Sequence, residues 1–490
     1  MIVTARRAAG FCLLLLLALL GNATWLMAHE ADAYDHMAGN RRPQIVRYQQ
    51  ERGDILVAGR PITGSPHTAG TSDLAYGRNY TDGPLYAPVT GYASQLYGAT
   101  LLEGVEDDLL AGTDPRLGAW PVITAITRRR SPAGNVATTI LPAAQQAAFA
   151  GLASTGNKGA VAALDPATGA ILALVSTPSY DPGRLAGANK ATRTAWTALD
   201  TDPDRPMLNR ALRETYPPGS TFKVVTAAAA LASGTVADPD EPTTSPDPYP
   251  LPESRTRLGN EVSGCRDASL RYALAMSCNT VFAKLGVDMG AEVMRRQARA
   301  FGFDDPKLRI PVAVTESVFP RNPDRPQTAL SSIGQFDTRA TPLQMAMVAA
   351  GVANDGEVMR PYLVERLTRG NGSIVHTTDR EALARAVAPP VARRLQKMME
   401  DVVTTGTGGN GRIDGAVVGG KTGTAQHGEN NRAVPYAWFI AYAKADAAAK
   451  PAVAVAVVVE DGSADRADIT GGGLAAPIAK AVMSAVLAAR

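Results

Sequence analysis

Cysteine is scarce: Cys12, Cys265 and Cys278 are the only three in 490 residues, too few for a disulfide-built scaffold. No C-x-x-C or H-E-x-x-H pattern occurs, and His29, His36, His67, His376 and His427 are scattered, so neither a metal nor another cofactor is expected. Charge of either sign is also in short supply. Lys and Arg total 49 against 46 Asp and Glu, a formal net charge of +3, and aromatics make up only 6%. With no basic patch interleaved with aromatics, nucleic acid is not an expected partner. No internal repeat or low-complexity tail is present, which excludes a solenoid. What remains is a globular composition, 45% hydrophobic and 19% charged. The length suggests two or three domains.

The first positive signal is an uncharged stretch. Ala8 to Ala28 carries no charge over 21 residues and follows Arg6 and Arg7. About 20 apolar residues suffice to cross a bilayer, and positive charge stays cytoplasmic. The stretch reads as a retained single-pass anchor, with the N-terminus cytoplasmic and the rest of the chain outside. The rival is a cleavable signal peptide with an apolar core at Phe11 to Leu20 and a small-residue exit at Ala31-Asp32-Ala33.

The chemistry points to Tyr216-Pro217-Pro218-Gly219-Ser220-Thr221-Phe222-Lys223. The prolines and glycine oppose helix, while Val224 to Ala232 is an apolar run suited to a buried one. Ser220 is therefore expected at a helix N-terminus, with the amine of Lys223 within reach of its hydroxyl. A base beside a nucleophile suits acyl transfer, and a helix start offers free N–H groups to an oxyanion. Alone, this pair reads equally as a cap and a surface lysine. Downstream, however, stand Ser277-Cys278-Asn279 and Lys421-Thr422-Gly423-Thr424, at intervals of 57 and 144 residues.

S-x-x-K, S-x-N and K-T-G in this order resemble the signature of penicillin-binding proteins and serine β-lactamases. Leu208-Asn209-Arg210-Ala211, Thr341 to Ala346 and Ala425-Gln426 extend the resemblance. Length and N-terminal organisation are similar to class B penicillin-binding proteins, and the short pedestal and Ser-Cys-Asn motif to their actinobacterial members. The resemblance implies that Ser220 is acylated, Lys223 is its base, Ser277 passes a proton onward and Asn279 holds Lys223 and a substrate carbonyl. It further implies that Lys421, Thr422, Gly423 and Thr424 receive a substrate carboxylate, with the N–H groups of Ser220 and Thr424 as the oxyanion hole.

The implied reaction is D,D-transpeptidation of peptidoglycan stem peptides, with β-lactams as acylating inhibitors. A D,D-carboxypeptidase, or a wall-assembly scaffold with a dispensable site, is the alternative. Ahead of the catalytic region there is no room for a glycosyltransferase domain, so that enzyme and other wall-assembly proteins are expected as separate partners. In a compartment where disulfides persist, Cys265 and Cys278 fit either a bridge across the second motif or two separate thiols.

The expected fold is α+β: residues 1–30 as tail and transmembrane helix, 31–152 as a small non-catalytic pedestal, and 153–490 as a transpeptidase domain with an antiparallel sheet flanked by helices. Asn40-Arg41-Arg42 to Arg60, including Arg52-Gly53-Asp54, resembles a pedestal opening and reads otherwise as a solvated charged face. Gly64 to Gly77 reads as a loop. Arg78-Asn79-Tyr80 with Val89 to Tyr92 loosely resembles a further pedestal motif, with Thr81 where proline is usual. Leu141 to Leu152 is expected as helix, and Val161 to Leu164 with Ile171 to Val175 as a hairpin about Asp165-Pro166-Ala167-Thr168-Gly169. Asp238 to Ser254 is expected as an exposed loop. Strands are expected from Val417, at Ala437 to Tyr442 and at Ala452 to Glu460, then a closing helix from Leu474 to Arg490. Gly334-Gln335-Phe336 departs from the family's Gly-Gln-Gly, and Phe336 takes a positive φ less easily than glycine.

Overall fold

The computed structural model describes residues 2–30, 45, 47–68, 74–118, 131–153, 156, 158–426, 428, 433–461 and 469–490. Ala31-Asp32-Ala33, His36, Asn40 to Arg42, His427 and part of the Gly64 to Gly77 loop lie outside the described residues. Helix α1 (Ile2–His29) is leucine-rich and presents its apolar side chains outward. Its 28 residues extend about 42 Å at 1.5 Å each, enough to cross a bilayer.

In the pedestal a five-stranded sheet runs in the order Ile374–Thr377, Val364–Arg369, Gly134–Thr138, Ile55–Val57, Arg60–Pro61. Ile55–Val57 pairs parallel with Gly134–Thr138, and Val364–Arg369 antiparallel with it. The two strands at 364–377 come from late in the chain, so a division at residue 152 separates in sequence strands that the fold joins.

Arg52 does not lie on a solvated face. It is buried with Arg78 around the fully buried Glu103. Arg78 Nε donates to Glu103 Oε1 at 2.6 Å, and Arg52 donates to Glu103 Oε2 at 3.1 Å and Asp107 Oδ1 at 2.8 Å. Burial pushes the Glu103 carboxyl up, but the two guanidiniums outweigh it and hold the group below the usual range. Removing one partner of such a set strands a buried charge. Arg78→Ala is therefore expected to cost about 3 to 5 kcal/mol of stability, read as a lowered denaturant midpoint with unchanged m. An unshifted midpoint would show that Arg52 alone neutralises Glu103.

Helix α2 (Pro142–Ala153) leads into the second domain. Its sheet uses β1 (Lys158–Leu164), β2 (Ile171–Thr177), β3 (Val417–Ala425), β4 (Tyr436–Lys444) and β5 (Val453–Asp461), in the antiparallel order β3-β4-β5-β1-β2. Both faces are covered, which is why β5 reads as a continuous apolar run rather than an alternating one. Val455, Val457 and Val459 face a core shared with α2 and α7 (Ala476–Ala489), while Ala454, Ala456 and Val458 face the larger core. That core surrounds α3 (Lys223–Ala232), α4 (Asn279–Met289), α5 (Pro342–Ala353) and α6 (Pro389–Thr404). In α3 the run Ala227 to Ala230 lets its neighbours approach closely, and Val224 to Leu231 is buried.

The expected elements named above form within three residues of their expected limits. The helix-like stretch from Ser269 to Leu285 places the second motif in a connection near Ser277, and there Ser277 adopts φ 62 between Leu270–Met276 and α4. The Asp238 to Ser254 stretch is less exposed than expected, since Ser245 and Tyr249 are buried. Residues Tyr249–Pro250 also pair with Arg257–Leu258.

Candidate active site

Ser220 does not begin an α-helix. It lies in a 3-10 turn, Gly219–Phe222, and α3 starts only at Lys223. The approach to that turn is fastened from three sides. Tyr216 exchanges two backbone hydrogen bonds with Ala340, Trp438 Nε1 donates to Pro217 O at 3.1 Å, and Gly219 N donates to Gly334 O at 2.9 Å. A Cβ at Gly334, which has φ 74, would stand 2.1 Å from Gly219 O, so only glycine permits this approach. Phe336 nevertheless takes φ 57 and remains partly exposed, so the turn keeps its left-handed geometry without the second glycine. The conformation costs roughly 1–2 kcal/mol.

Lys223 points at the second motif. Its Nζ donates to Ser277 O at 2.7 Å and Asn279 Oδ1 at 2.7 Å, with Ser277 Oγ at 3.2 Å. The expected contact with Ser220 is absent among the described residues. A carbonyl and an amide oxygen are stronger acceptors than a hydroxyl, and the left-handed turn at Ser277 presents its carbonyl to the amine. Catalytic hydrogen bonds commonly tighten only once substrate is bound. From the opposite side Lys421 Nζ donates to Ser277 Oγ at 3.0 Å and to Thr422 O at 2.9 Å. Ser277 Oγ thus stands between two amines.

Both lysines are fully buried. Burial foremost, then the charge of Lys421, holds Lys223 well below the usual lysine range. Burial pushes Lys421 down to about 7, against the opposing pull of Glu261. Such shifts keep a lysine partly neutral near neutral pH.

Strand β3 is an edge of its sheet and turns its open side toward the serine. Thr422, Gly423 and Thr424 line one cleft of about 580 Å³ with Ser220, Ser277 and Asn279. The predicted site residues therefore converge, six on the wall and Lys223 and Lys421 beneath. Cys265 and Cys278 are joined by a disulfide, Cα atoms 5.6 Å apart, which ties an exposed segment to the start of α4.

Sequence reasoning missed Thr407, whose hydroxyl lies 2.7 Å from that of Thr422. It also missed Thr470, Gly471 and Gly472, which close the far wall of the cleft. The glycine run 471–473 was a visible signal, because glycine permits backbone to approach closely. A Cβ at Gly471 would fall 2.0 Å from Trp438 O.

Comparison with known proteins places the chain among relatives. The family model for the penicillin-binding protein transpeptidase domain matches residues 159–484, and that for the penicillin-binding protein A dimerisation domain matches residues 52–136. Peptidoglycan D,D-transpeptidase PbpA of Mycolicibacterium smegmatis is 44% identical over 98% of each chain. PbpA of Mycobacterium tuberculosis is 43% identical over the same shares. Among solved structures, the ceftriaxone acyl-enzyme of penicillin-binding protein A from M. tuberculosis superposes with a TM-score of 0.83 at 44% identity, covering 90% of this chain and 100% of that one. Its penicillin G acyl-enzyme gives 0.81, over 89% and 100%.

Proposed function

The chain belongs to the penicillin-binding protein transpeptidase family, and on that premise we propose that it cross-links peptidoglycan as a D,D-transpeptidase through an ester on Ser220. The observation that carries this reading is the buried Lys223–Ser277–Lys421 line under the cleft that Ser220 faces. Neutral Lys223 takes the Ser220 proton as Oγ attacks the penultimate carbonyl of a D-Ala-D-Ala stem. Ser277, poised between the amines, hands a proton to the departing D-alanine nitrogen. Asn279 fixes Lys223 and offers its amide to the donor peptide. Lys421, with Thr422 and Thr424, receives the donor's terminal carboxylate, and Gly423 lets the strand lie close against the serine turn, where a Cβ would stand 3.0 Å from Thr221 Cγ2 and 3.1 Å from Pro218 O. The N–H groups of Ser220 and Thr424 hold the oxyanion, where losing one donor costs roughly 10² to 10³ in rate. An amine from a second strand then takes the acyl group, and Ser220 regains its proton. A β-lactam enters the same cleft and stays on the serine.

The apolar α1 supports membrane attachment, and Arg6 and Arg7 support a cytoplasmic N-terminus with residues 31–490 outside. The same proposal takes residues 31–152 as the pedestal, its sheet completed by the strands at 364–377, and the rest of 153–490 as the catalytic domain, working beside a separate glycosyltransferase. The test is direct. Incubated with a D-Ala-D-Ala-ended donor and an amine acceptor, the protein is expected to release D-alanine and form the new amide. Release of D-alanine with water as the only acceptor would make it a carboxypeptidase, and no release would remove the enzyme reading.

A further inference from the structure

Resting on the reading of Ser220 as the acylated residue, we propose that Glu261 binds the ammonium group of the acceptor strand and so selects an amine over water. Among the described residues that line the cleft, Glu261 is the only one with an ionisable side chain. Beneath the cleft lie two buried lysines, and whenever either amine is protonated it sets a positive charge under the acyl group. An acceptor amine arrives in water as an ammonium, which a charged floor repels; once docked it gives one proton to neutral Lys223 to become the nucleophile, and its second goes to Ser220 Oγ as the amide forms and the ester bond breaks. Water, the competing nucleophile, carries no charge. A cross-linking site of this kind needs one negative charge on its wall, and Glu261 supplies it.

The placement of Glu261 is specific. It sits on coil, is exposed, and its carboxylate has no hydrogen-bond or ion-pair partner among the described residues. An exposed, unpaired glutamate on coil is ordinarily free to wander, but this one is held on both sides. Just before it, Asn260 accepts from Thr280 N at 3.1 Å and donates to Thr280 Oγ1 at 2.9 Å, while Asn279 Nδ2 donates to Gly259 O at 3.4 Å. Just after it, Cys265 is bonded to Cys278. Both fastenings end on residues 278–280, so Glu261 keeps its place on the cleft wall that it shares with Ser277 and Asn279. Its charge reaches both buried amines, favouring their protonated forms.

The experiment compares Glu261→Gln and Glu261→Asp with the wild-type protein. Each is acylated by a D-Ala-D-Ala-ended donor and offered either Nα-acetyl-lysine amide, a cation, or hydroxylamine, which is neutral at pH 7.5. Penicillin acylation of the same variant serves as reference. Relative to that reference, Glu261→Gln is expected to raise the KM for Nα-acetyl-lysine amide about tenfold, the value of one charge-assisted contact. Hydroxylamine capture should not move with it, and Glu261→Asp should recover most of the loss. Equal losses for both nucleophiles, or a change that tracks acylation alone, would mean that Glu261 acts only through the lysines and would overturn the proposal. So would an unchanged KM. Absence of a penicillin adduct on the wild-type protein would instead fail the underlying reading of Ser220.

Discussion

Ser220→Ala is expected to abolish the covalent penicillin adduct while leaving the fold intact. The hydroxyl makes no hydrogen bond among the described residues, and the turn that carries it is held by Tyr216, Pro217 and Gly219. Its loss should change stability by no more than about 0.5 kcal/mol. Mass spectrometry of the penicillin-treated protein, with a denaturation midpoint alongside, checks both halves. An adduct of equal yield on the alanine variant would move the nucleophile elsewhere.

Lys223→Ala is expected to slow acylation by roughly 10² to 10⁴, the usual share of a general base, and more where Ser277 and Asn279 lose their common anchor. The wild-type pH dependence follows from the same amine. Acylation needs Lys223 neutral, so the second-order rate rises with pH through its depressed pKa and levels off far below the usual lysine range. Lys421 must remain charged to receive a carboxylate, so the rate falls again as pH passes about 7. A bound carboxylate favours charged Lys421, and the falling limb in kcat is expected above that in kcat/KM. Stopped-flow acylation across pH measures the profile. A rate still rising at pH 10 would mean that Lys223 keeps its proton and is not the base.

The catalytic motifs were legible because each is local. A serine three positions before a lysine, after two prolines and before an apolar run, marks where a turn enters a buried helix, as valine-rich runs mark strands, though not where the amine points. Relations across the chain were not. That Arg52 is buried depends on Glu103, far along the chain, and a charged stretch without its partner looks solvated. Nothing near Val364 to Thr377 says that it joins the sheet of Gly134–Thr138. Glu261 is an ordinary loop glutamate until the disulfide and Asn260 hold it on the wall of the cleft. The direction of the Lys223 amine likewise turns on the left-handed conformation of Ser277, a single dihedral that composition does not reveal. At Phe336 the sequence pattern raised a doubt, and the backbone takes the left-handed turn despite the side chain.

The strand order β3-β4-β5-β1-β2 also sets a timetable for synthesis. Strand β1 pairs with β5, so the sheet cannot close until about 240 residues beyond Ser220 have been made. At roughly 5–20 residues per second that is a delay of about ten to fifty seconds. Until then α5, which packs on β5 and β1, lacks part of its covering sheet, and the nascent chain needs shielding from aggregation. The serine, too, waits for its cationic partner: Lys421 arrives on a late strand, so the nucleophile exists in the chain long before it is armed.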